Sequence, residues 1–557
     1  MIKKQELASQ ILEMINTAIE ASEQLLLFLE QGNRADFNEV SEGLRMMVES
    51  IQKIADELKK EEDGLNLPAA SASVLDSLSR VIAHASKDTK KAIHKIEFEL
   101  IPLVEEMRVN FFYWGTVYPD PVKMKKYYEE DIHWLANNRY LEKSIQTGQF
   151  KYDLSIIVVA YNKLDYTKQC ITELLKHLPK NLSYELIMVN HGSSDGTKEF
   201  FEKISPNKQV DIAVNGGGVG AIYRIVEGRY EVTISNDVLV TKNAIENMYR
   251  CISSDEKNAW VVPTTPNVSN LQSIQSDYND MAGLSEFAEK NNVSDDRRWE
   301  QRVRLCNPID IMSTKFLQQV KPYHWYQSKN FFSFPDDRLS LLCRRNGYKL
   351  YLAKDAFCHH FGSVTLKKDE KTNAEAAFLK GRQDFFQFFG VDPWGIGFCF
   401  DPYLFNILEC NKTGDVSVLG INCGFGSNSL KIKEELKEKV GNTTVYLKNI
   451  TTNETVIEDL KGVSDEAIYV KDYHILQNWE EQYDYIVADS DSHEVENLVS
   501  DITLFFEKSK SKGIIVMLLS ENEVIRLQQE KALLNQFEAV DAVQGNNGCI
   551  WGIFKKY

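Results

Sequence analysis

The chain has 557 residues, 43% of them hydrophobic and 26% charged, which is the composition of a folded protein with several domains. Acidic residues (81) outnumber basic residues (64), and the net charge of −17 argues against a broad basic surface for nucleic acid. The nine cysteines show no paired spacing and the N-terminus has no signal sequence, so we expect reduced thiols and a cytoplasmic location. No apolar run is long enough to span a bilayer.

Residues 1–110 predict an N-terminal helical bundle. Apolar side chains recur at three- and four-residue spacing, as at Leu7 and Ile11, and the pattern breaks at Gly32. Such a bundle can act as a scaffold, as an interface for a homo-oligomer, or as a docking surface for a partner. Residues 111–150 are aromatic and irregular, and we interpret them as a packed connector.

From residue 154 the hydrophobic pattern changes to strand-like runs that alternate with helix-like runs. The strand-like runs include Leu154–Tyr161, Tyr184–Val189, Val210–Val214 and Tyr230–Ser235, and Val219–Glu227 is a helix-like run between the last two. A second series of the same kind begins near Asp415. The pattern therefore predicts a multidomain α/β protein with two mostly parallel sheets, in residues 151–392 and 393–557.

Polar residues follow the predicted strands, where ligands of parallel sheets bind. Asn162 follows the first strand, and Asn190-His191 begin the polar stretch after the second. Asn215-Gly-Gly-Gly218 follow the third strand, and Ser235-Asn-Asp237 end the fourth. The glycine-rich turn allows a backbone to approach a ligand closely, although a tight turn before a helix would also use these residues.

These motifs, in this order, resemble the family 2 glycosyltransferases with the GT-A fold, over about residues 150–390. Leu154–Asn162 is similar to the opening strand of that family, Ser193–Thr197 to the end of its "DDGSxDGT" element, and 215–220 to its "NxGxxxA" turn. The resemblance implies a nucleoside-diphosphate sugar as donor. The donor-binding residues it implies are Ala160, Tyr161, Asn162, Asn190, Asp195, Asn215, Gly216, Gly217, Ser235 and Asn236.

The resemblance also implies a divalent cation, Mn²⁺ or Mg²⁺, between the protein and the diphosphate. Asp237 matches the last position of the family's Asp-x-Asp motif, whereas Ser235 replaces the first acid. A metal-binding histidine of the family corresponds to His360, or to His359 beside it. Helix capping by Asp237 and a structural role for the histidines are the alternatives.

Asp336 and Asp337 match the acidic pair that holds the general base in inverting relatives. An acceptor hydroxyl is a weak nucleophile, so a carboxylate must take its proton as attack develops. Adjacent acids face different directions, so only one of them can be the base, and we prefer Asp336. A turn or a helix cap is the other interpretation. Asn190 and His191 stand where the family has two acids, which leaves the nucleotide base open.

The second β/α series resembles the class I methyltransferases in its glycine-rich motif, 418–427. The usual acid after strand two is missing, because Lys448 and Asn449 stand in the predicted stretch. The acid before the first glycine is missing as well. We therefore do not expect S-adenosylmethionine as a cofactor, and predict a degenerate domain used for packing or partner binding.

The leading hypothesis is an inverting glycosyltransferase, of the hexosyl or N-acetylhexosaminyl type, that modifies a hydroxyl. By its resemblance to bacterial protein-modifying enzymes, the acceptor is a Ser or Thr of a protein such as flagellin. Three alternatives remain: a surface-polysaccharide glycosyltransferase, a catalytically dead module that binds sugar nucleotides, and a bifunctional glycosyltransferase and methyltransferase. The expected partners are the sugar nucleotide, the acceptor and a second copy joined through the N-terminal helices.

Overall fold

The computed structural model describes residues 2–58, 67–117, 120, 122–123, 138–214, 219–320, 334–362, 371–441, 443–489, 498–530, 537–545 and 549–557. The chain divides into two compact units. The first comprises residues 1–246, 308–335 and 358–384, and the second comprises 247–307, 336–357 and 385–557. Within the described parts of the chain, no helix has the length and apolar character needed to cross a membrane.

The helices follow one another in this order. The first nine are α1 (Ile2–Glu30), α2 (Arg34–Leu58), α3 (Leu67–Ala85), α4 (Thr89–Lys95), α5 (Ile101–Phe112), α6 (Arg139–Thr147), α7 (Leu164–Lys176), α8 (Thr197–Ile204) and α9 (Ala244–Ser253). They are followed by α10 (Met281–Asn291), α11 (Thr314–Val320), α12 (Pro335–Arg345), α13 (Lys371–Phe389), α14 (Pro402–Ile407), α15 (Ser427–Val440), α16 (Ile457–Lys461), α17 (Leu498–Glu507) and α18 (Glu521–Gln529).

The strands form two series. The first series is β1 (Tyr152–Ala160), β2 (Tyr184–His191), β3 (Lys208–Ile212), β4 (Gly228–Ser235), β5 (Val238–Leu239), β6 (Asn258–Thr264), β7 (Trp299–Arg302), β8 (Ile309–Ser313), β9 (Lys349–Phe357) and β10 (His359–His360). The second series is β11 (Gly414–Ile421), β12 (Thr443–Thr451), β13 (Glu466–Tyr469), β14 (Tyr483–Ala488), β15 (Ser509–Leu519), β16 (Phe537–Gln544) and β17 (Ile550–Lys556).

The helical N-terminus predicted from the apolar spacing is confirmed. Ile11, Ile15 and Val48 are among the fully buried side chains of its core. The helix pattern breaks after α1 because Gly32 adopts a left-handed backbone, and Asn33 then accepts the N–H of Asp36 to cap α2. Two π-helical turns, Ile96–Leu100 and Tyr113–Val117, flank α5.

In the first unit, β1 pairs in parallel with β2 and β4, β2 pairs in parallel with β3, and β8 adds antiparallel to β4. The strands carry long apolar runs because both faces of such a sheet are covered. The run 219–227 was predicted as a helix, but the structure has only a short 3₁₀ segment, Val219–Arg224. The backbone N–H of Ala221, in the first turn of this segment, bonds to the side chain of Glu106.

The second unit contains β6, β9 and β7 in that order and a seven-stranded sheet with the order β13-β12-β11-β14-β15-β17-β16. The first five strands of the larger sheet are parallel, and β17 runs antiparallel to both β15 and β16. This confirms the Rossmann-like fold predicted for the C-terminal part of the chain. The carboxyl ends of β11, β12 and β14 therefore share one edge.

Buried ion pairs join β7 to α15 and α12 to α16 in the second unit. Glu300 on β7 accepts Lys431 of α15 at 2.9 Å and lies 2.6 Å from Arg302. Burial opposes ionisation, but these cations outweigh it and lower the pKa of Glu300 to about 2. Arg344, near the end of α12, pairs with the fully buried Asp459 at 2.6 Å. The position of α12 is thus fixed by charges of the Rossmann-like domain.

Candidate functional site

The turns after β1 and β2 hold each other in the first unit. Asn162 adopts a left-handed backbone with φ of 53°, and its N–H donates to the Ser193 hydroxyl at 2.9 Å. The Asn162 side-chain oxygen accepts the N–H of Ser194 at 3.0 Å. Asn236, after β4, donates its amide to the carbonyl of Asn162 at 2.9 Å. Three strand ends predicted to form the donor site are therefore brought together.

Both carboxylate oxygens of Asp195 accept hydrogen bonds from nearby residues. One oxygen accepts the hydroxyl of Thr197 at 2.6 Å, and the other accepts the N–H of Leu164 at the start of α7 at 2.8 Å. Burial opposes ionisation of Asp195, but these hydrogen bonds outweigh it and lower its pKa. In this arrangement Asp195 shapes the turn around Asn162. The contact of Asp195 with the sugar-nucleotide donor stays a prediction.

Asn190 ends β2 in a buried position and uses both ends of its amide. The NH₂ group donates to Asp211 on β3 at 3.1 Å, and the oxygen accepts the N–H of Ser193 at 3.0 Å. Ala160 lies at the buried end of β1, whereas the neighbouring Tyr161 is 36% exposed. The predicted residues Asn215, Gly216, Gly217 and Gly218 lie outside the described residues.

Asp237 and His360 meet at the end of β4. Strand β5 pairs antiparallel with β10, so that Val238 lies opposite His360. The ladder brings the Asp237 carboxylate to 3.4 Å from Nε2 of His360, with side chains only 14% and 11% exposed. The N–H of Phe361 donates to the carbonyl of Asp237 at 3.1 Å and closes this arrangement. A carboxylate oxygen and an imidazole nitrogen are suitable ligands for Mn²⁺, and the oxygen alone suits Mg²⁺.

His359 faces a different environment from His360. Its ring lies edge-on to Phe361, with ring centroids 4.6 Å apart. Burial, and secondly the neighbouring His360, lower the pKa of His359. Within the described ranges, no cluster of three or more His, Cys, Asp or Glu side chains could hold a metal ion.

Ser235 and the buried Cys170 lie beside this pair. The Cys170 thiol donates to the carbonyl of Ser235 at 3.8 Å. Burial, and secondly the charge of Asp237, raise the pKa of Cys170 to about 12, so this thiol is protonated at neutral pH. Sequence reasoning missed Cys170 because a single cysteine in a helix carries no motif.

Asp336 and Asp337 lie in the first turn of α12, in the second unit. Arg304 binds both oxygens of Asp337, with distances of 2.6 and 3.2 Å. Burial raises the pKa of Asp337, and Arg304 opposes that shift. The Asp337 carboxylate is therefore committed to Arg304, whereas Asp336 is half-buried. The sequence contained no signal for Arg304, because it belongs to no motif.

The glycine-rich turn after β11 is covered by the chain itself. The carbonyl of Ile396 accepts the N–H of Phe425 at 3.0 Å, and the carbonyl of Gly397 accepts the N–H of Ser427 at 3.3 Å. A Cβ atom on Gly424 would lie 1.9 Å from the carbonyl oxygen of Ile396. Backbone N–H groups that would face a nucleotide in such a turn are thus bonded to residues 396–397.

The end of β12 also lacks an acid. Thr452 follows this strand, and its N–H donates to the side-chain oxygen of Asn422 at 2.8 Å. A cavity of about 340 Å³ lies against Asn422, Thr452 and Asn453. The sequence analysis looked for the cofactor-binding acid at Lys448 and Asn449, but β12 continues to Thr451. Residues 451–453, at the true end of the strand, supply no carboxylate either.

A family model described as Glycosyl transferase family 2 matches residues 155–303. The match confirms the resemblance inferred from the motifs, and this segment is a family 2 glycosyltransferase domain. The Glycosyltransferase GlyG of Streptococcus pneumoniae serotype 4 (strain ATCC BAA-334 / TIGR4) is 28% identical over 116 residues, which are 20% of this chain and 37% of that protein. The chain thus matches little more than a third of this curated relative.

Two solved structures match parts of the chain. The mannosyltransferase PcManGT from Pyrobaculum calidifontis, in complex with GDP-Man and Mn²⁺, has a TM-score of 0.30 and 14% identity, covering 43% of this chain and 64% of its own. A putative class I S-adenosylmethionine-dependent methyltransferase from Listeria monocytogenes has a TM-score of 0.25 and 15% identity, covering 35% of this chain and 76% of its own.

Proposed function

We propose that the chain is an inverting glycosyltransferase that moves a sugar from a nucleoside diphosphate to a hydroxyl group. The observation that carries the proposal is the contact between Asp237 and His360 at the end of β4. The neighbouring turns, held by Asn162 and Asn236, lie in the segment that matches the family model. Polar groups at the carboxyl edge of a parallel sheet are where such a ligand binds.

Asp237 and His360 would hold a divalent cation, Mn²⁺ or Mg²⁺. The bound cation supplies Lewis-acid stabilisation of the charge that develops on the diphosphate leaving group. A cation held by these two residues would take further ligands from diphosphate oxygens and water, as Mg²⁺ does in nucleotide enzymes. The hydroxyl of Ser235 would complete the contacts where the family has an acid. His359 remains the alternative to His360.

Asp336 would act as the general base. It accepts the proton of the acceptor hydroxyl while the hydroxyl oxygen bonds to the anomeric carbon and the bond to the diphosphate oxygen breaks, which inverts the configuration. Asp337 is excluded from this role because Arg304 binds both of its oxygens. Arg304 would instead orient the first turn of α12. Asn215, Gly216 and Gly217 remain proposed donor contacts.

We propose a protein hydroxyl as the acceptor, with flagellin as the candidate suggested by the resemblance. A surface polysaccharide is the rival acceptor. Supplying a labelled donor with either purified flagellin or a lipid-linked glycan separates the two, because only one substrate gains label. A cytoplasmic location, the four predicted domain ranges and homo-oligomerisation through the N-terminal helices stay proposals, the last of them testable by light scattering.

We also propose that the Rossmann-like domain performs no methyl transfer. The bonds of Phe425 and Ser427 to residues 396–397 support this, because they occupy the turn that the cofactor would need. A titration of the full chain with S-adenosylmethionine should release no heat. Saturable binding would favour the bifunctional alternative instead.

The test of the main proposal is release of nucleoside diphosphate from a panel of sugar nucleotides, with Mn²⁺, with Mg²⁺ and with a chelator. We expect release from one donor, dependent on metal and faster when an acceptor is present. Binding without release would support the second candidate, a dead sugar-nucleotide module. That candidate is favoured by Ser235, Asn190 and His191, which stand where the family has acids. If the chain neither binds nor cleaves any sugar nucleotide of the panel, both candidates are overturned.

A further inference from the structure

A cavity of about 930 Å³ lies in the second unit, between the loop after β6 and the segment before β11. Ser269, Asn270 and Leu271 line one side of it, and residues 394–402 line the other. This volume is near the upper end of the range of roughly 300–1,000 Å³ that ligand pockets span. The cavity is therefore large enough for a ligand of several chemical groups.

The loop on the first side has an unusual backbone. Asn267, Asn270 and Leu271 all have a positive φ, of 58°, 64° and 53°. Asparagine tolerates this conformation, but a leucine rarely adopts it, and such strain is concentrated at functional sites. The Leu271 side chain is also exposed, so burial in the core does not account for the strain. The strained backbone presents Leu271 to the cavity instead.

Two buried side chains keep the loop in this conformation. Arg302 donates to the carbonyl of Asn270 at 3.3 Å and to that of Leu271 at 3.0 Å. Gln272 accepts the N–H of Cys306 at 2.8 Å and donates to the carbonyl of the same residue at 2.7 Å. These bonds offset the strain and fix the position of the loop beside the cavity.

The cavity also lies beside the proposed base. Arg304 lines it and binds both oxygens of Asp337, the neighbour of Asp336 in the first turn of α12. The Ser269 hydroxyl lies 3.3 Å from the thiol of Cys306. Burial, and secondly the charge of Asp336, raise the pKa of that thiol to about 11, and the effect of this charge requires proximity. A ligand in the cavity would thus lie next to the group that takes the acceptor proton.

Two carboxylates are fixed in the opposite wall of the cavity. Asp401 accepts the indole N–H of the fully buried Trp551 at 3.0 Å, and its own N–H donates to the side-chain oxygen of Asn428 at 2.8 Å. Asn428 donates its amide to Asp489 at 2.7 Å. Among the described residues that line the cavity, the basic one is Arg304, whose charge the first turn of α12 already balances. The cavity is therefore acidic, which favours a cationic ligand.

Aromatic side chains lie in the same wall as these acids. Trp394 and Phe398 line the cavity, and Trp394 is exposed. Aromatic rings bind ammonium and guanidinium groups through their faces, and carboxylates bind the same groups through charge. A peptide that carries Lys or Arg beside an apolar residue matches both features. A neutral glycan matches the ring surface alone.

We propose that this cavity is the acceptor site and that it binds a peptide segment in which the modified Ser or Thr is next to a basic residue. The inference rests on the proposed function and names the class of acceptor. It also gives the Rossmann-like domain a role, because residues 394–402 and Asp489 form one wall of the site. Residues 396–397, which cover the glycine-rich turn, belong to this wall. The segment that closes the cofactor site is thus part of the acceptor site.

The test measures binding of two fluorescein-labelled hexapeptides to the full chain with nucleoside diphosphate present. The peptides are Gly-Phe-Lys-Ser-Gly-Phe and the same sequence with Gln in place of Lys. Wild type should bind the Lys peptide about tenfold more tightly than the Gln peptide. Asp489→Asn keeps an oxygen for Asn428, and it should remove this preference while Kd of the Gln peptide stays within about twofold. Trp394→Ala should weaken binding of both peptides about tenfold.

Tyr469→Ala is the matched control for the loss of an exposed aromatic side chain. Tyr469 lies on β13, three strands away from β14, which Asp489 follows. This variant should change neither peptide Kd. The Kd of nucleoside diphosphate should stay within about twofold in Asp489→Asn and Trp394→Ala, because their residues are proposed to contact the acceptor. If Asp489→Asn fails to fold, Trp394→Ala still decides, since its position is exposed.

Three results would overturn the inference: equal binding of the two peptides by wild type, a preference for Lys that survives in folded Asp489→Asn, or unchanged peptide binding in Trp394→Ala. Equal weakening by Tyr469→Ala would overturn it as well. A wild-type chain that releases nucleoside diphosphate but binds neither peptide would overturn this inference and leave the proposed function intact. A chain that neither binds nor cleaves a sugar nucleotide would overturn the proposed function, and this inference with it.

Discussion

The turn after β1 and the turn after β11 occupy equivalent places in two parallel sheets, yet they are held in opposite ways. Side chains stabilise the turn after β1, where Asn162 forms hydrogen bonds with the side chains of Ser193 and Asn236. Main-chain carbonyls of residues 396–397 cover the second and bond to its N–H groups. At the first edge Asp237 lies beside His360, whereas at the second edge Asp489, which follows β14, accepts the side-chain amide of Asn428 at 2.7 Å. A glycine-rich turn therefore indicates a fold, and only the groups around it indicate a ligand.

The largest expected effect concerns Asp237, at the carboxyl edge of the sheet that contains β1 and β4. Asp237→Asn should lower metal-dependent release of nucleoside diphosphate about 1,000-fold, because it removes one of two proposed ligands to the cation. Asp165→Asn is the matched control, since the Asp165 side chain is 91% exposed on α7. Donor turnover measured at saturating Mn²⁺ checks this. Comparable turnover in the two variants would remove Asp237 from the site.

Substitutions of Asp336 and Asp337, the two acids in the first turn of α12, should have different effects on turnover and on stability. Asp336→Asn should lower kcat about 100-fold or more while stability stays close to wild type, because it removes the proposed base. Asp337→Asn should instead leave kcat close to wild type and act on stability, since Arg304 binds both oxygens of this carboxylate. Steady-state kinetics and urea unfolding measure both effects. A larger kcat loss in Asp337→Asn would exchange the two assignments.

The covered turn of the second edge predicts a stability effect. Gly397 has φ of 71°, and a Cβ there would lie 2.1 Å from the carbonyl oxygen of Cys423. Gly397→Ala should therefore cost about 2 kcal/mol or more. Gly414→Ala is the control, because Gly414 also has a positive φ of 83° but no atom within 4 Å. Equal unfolding midpoints for the two variants would contradict the close packing of 396–397 on the turn.

The smallest expected effect concerns Glu231, which lies on β4 beneath the first edge and is fully buried. Burial, and secondly the charge of Asp310, raise its pKa well above 4.5. The folded state therefore loses stability as pH rises from about 4.5 toward that raised pKa, because the unfolded chain ionises first. Glu231→Gln mimics the protonated acid and should raise Tm by about a few degrees at pH 7 but not at pH 4.

Exposed Glu286 provides the comparison for this pH effect. Its pKa is lowered by Lys290, so Glu286→Gln should leave Tm almost unchanged at both pH values. Differential scanning calorimetry at the two pH values measures the difference. A lower Tm for Glu231→Gln at pH 7 would mean that the buried acid is ionised and paired.

The proximity of Asp237 and His360 followed from motif order, because both were predicted at the same carboxyl edge of one sheet. The pair of Arg304 and Asp337 did not follow, since nothing in the spacing of Arg304 marks it. The bond of Glu99 to Asp211 joins residues 112 positions apart and depends on a π-helical turn that the apolar period does not reveal. The packing of residues 396–397 on the glycine-rich turn after β11 could not be predicted either. Backbone carbonyls make these bonds, and every residue type has one.

The most direct test of the central claim measures metal and nucleotide together. Free Mn²⁺ is followed by electron paramagnetic resonance while nucleoside diphosphate is added to wild type, Asp237→Asn, His360→Asn and Asp165→Asn. We predict that nucleotide increases Mn²⁺ binding in wild type and in Asp165→Asn, and that this increase is lost in Asp237→Asn and strongly reduced in His360→Asn. Undiminished nucleotide-dependent binding of Mn²⁺ by Asp237→Asn would contradict the account.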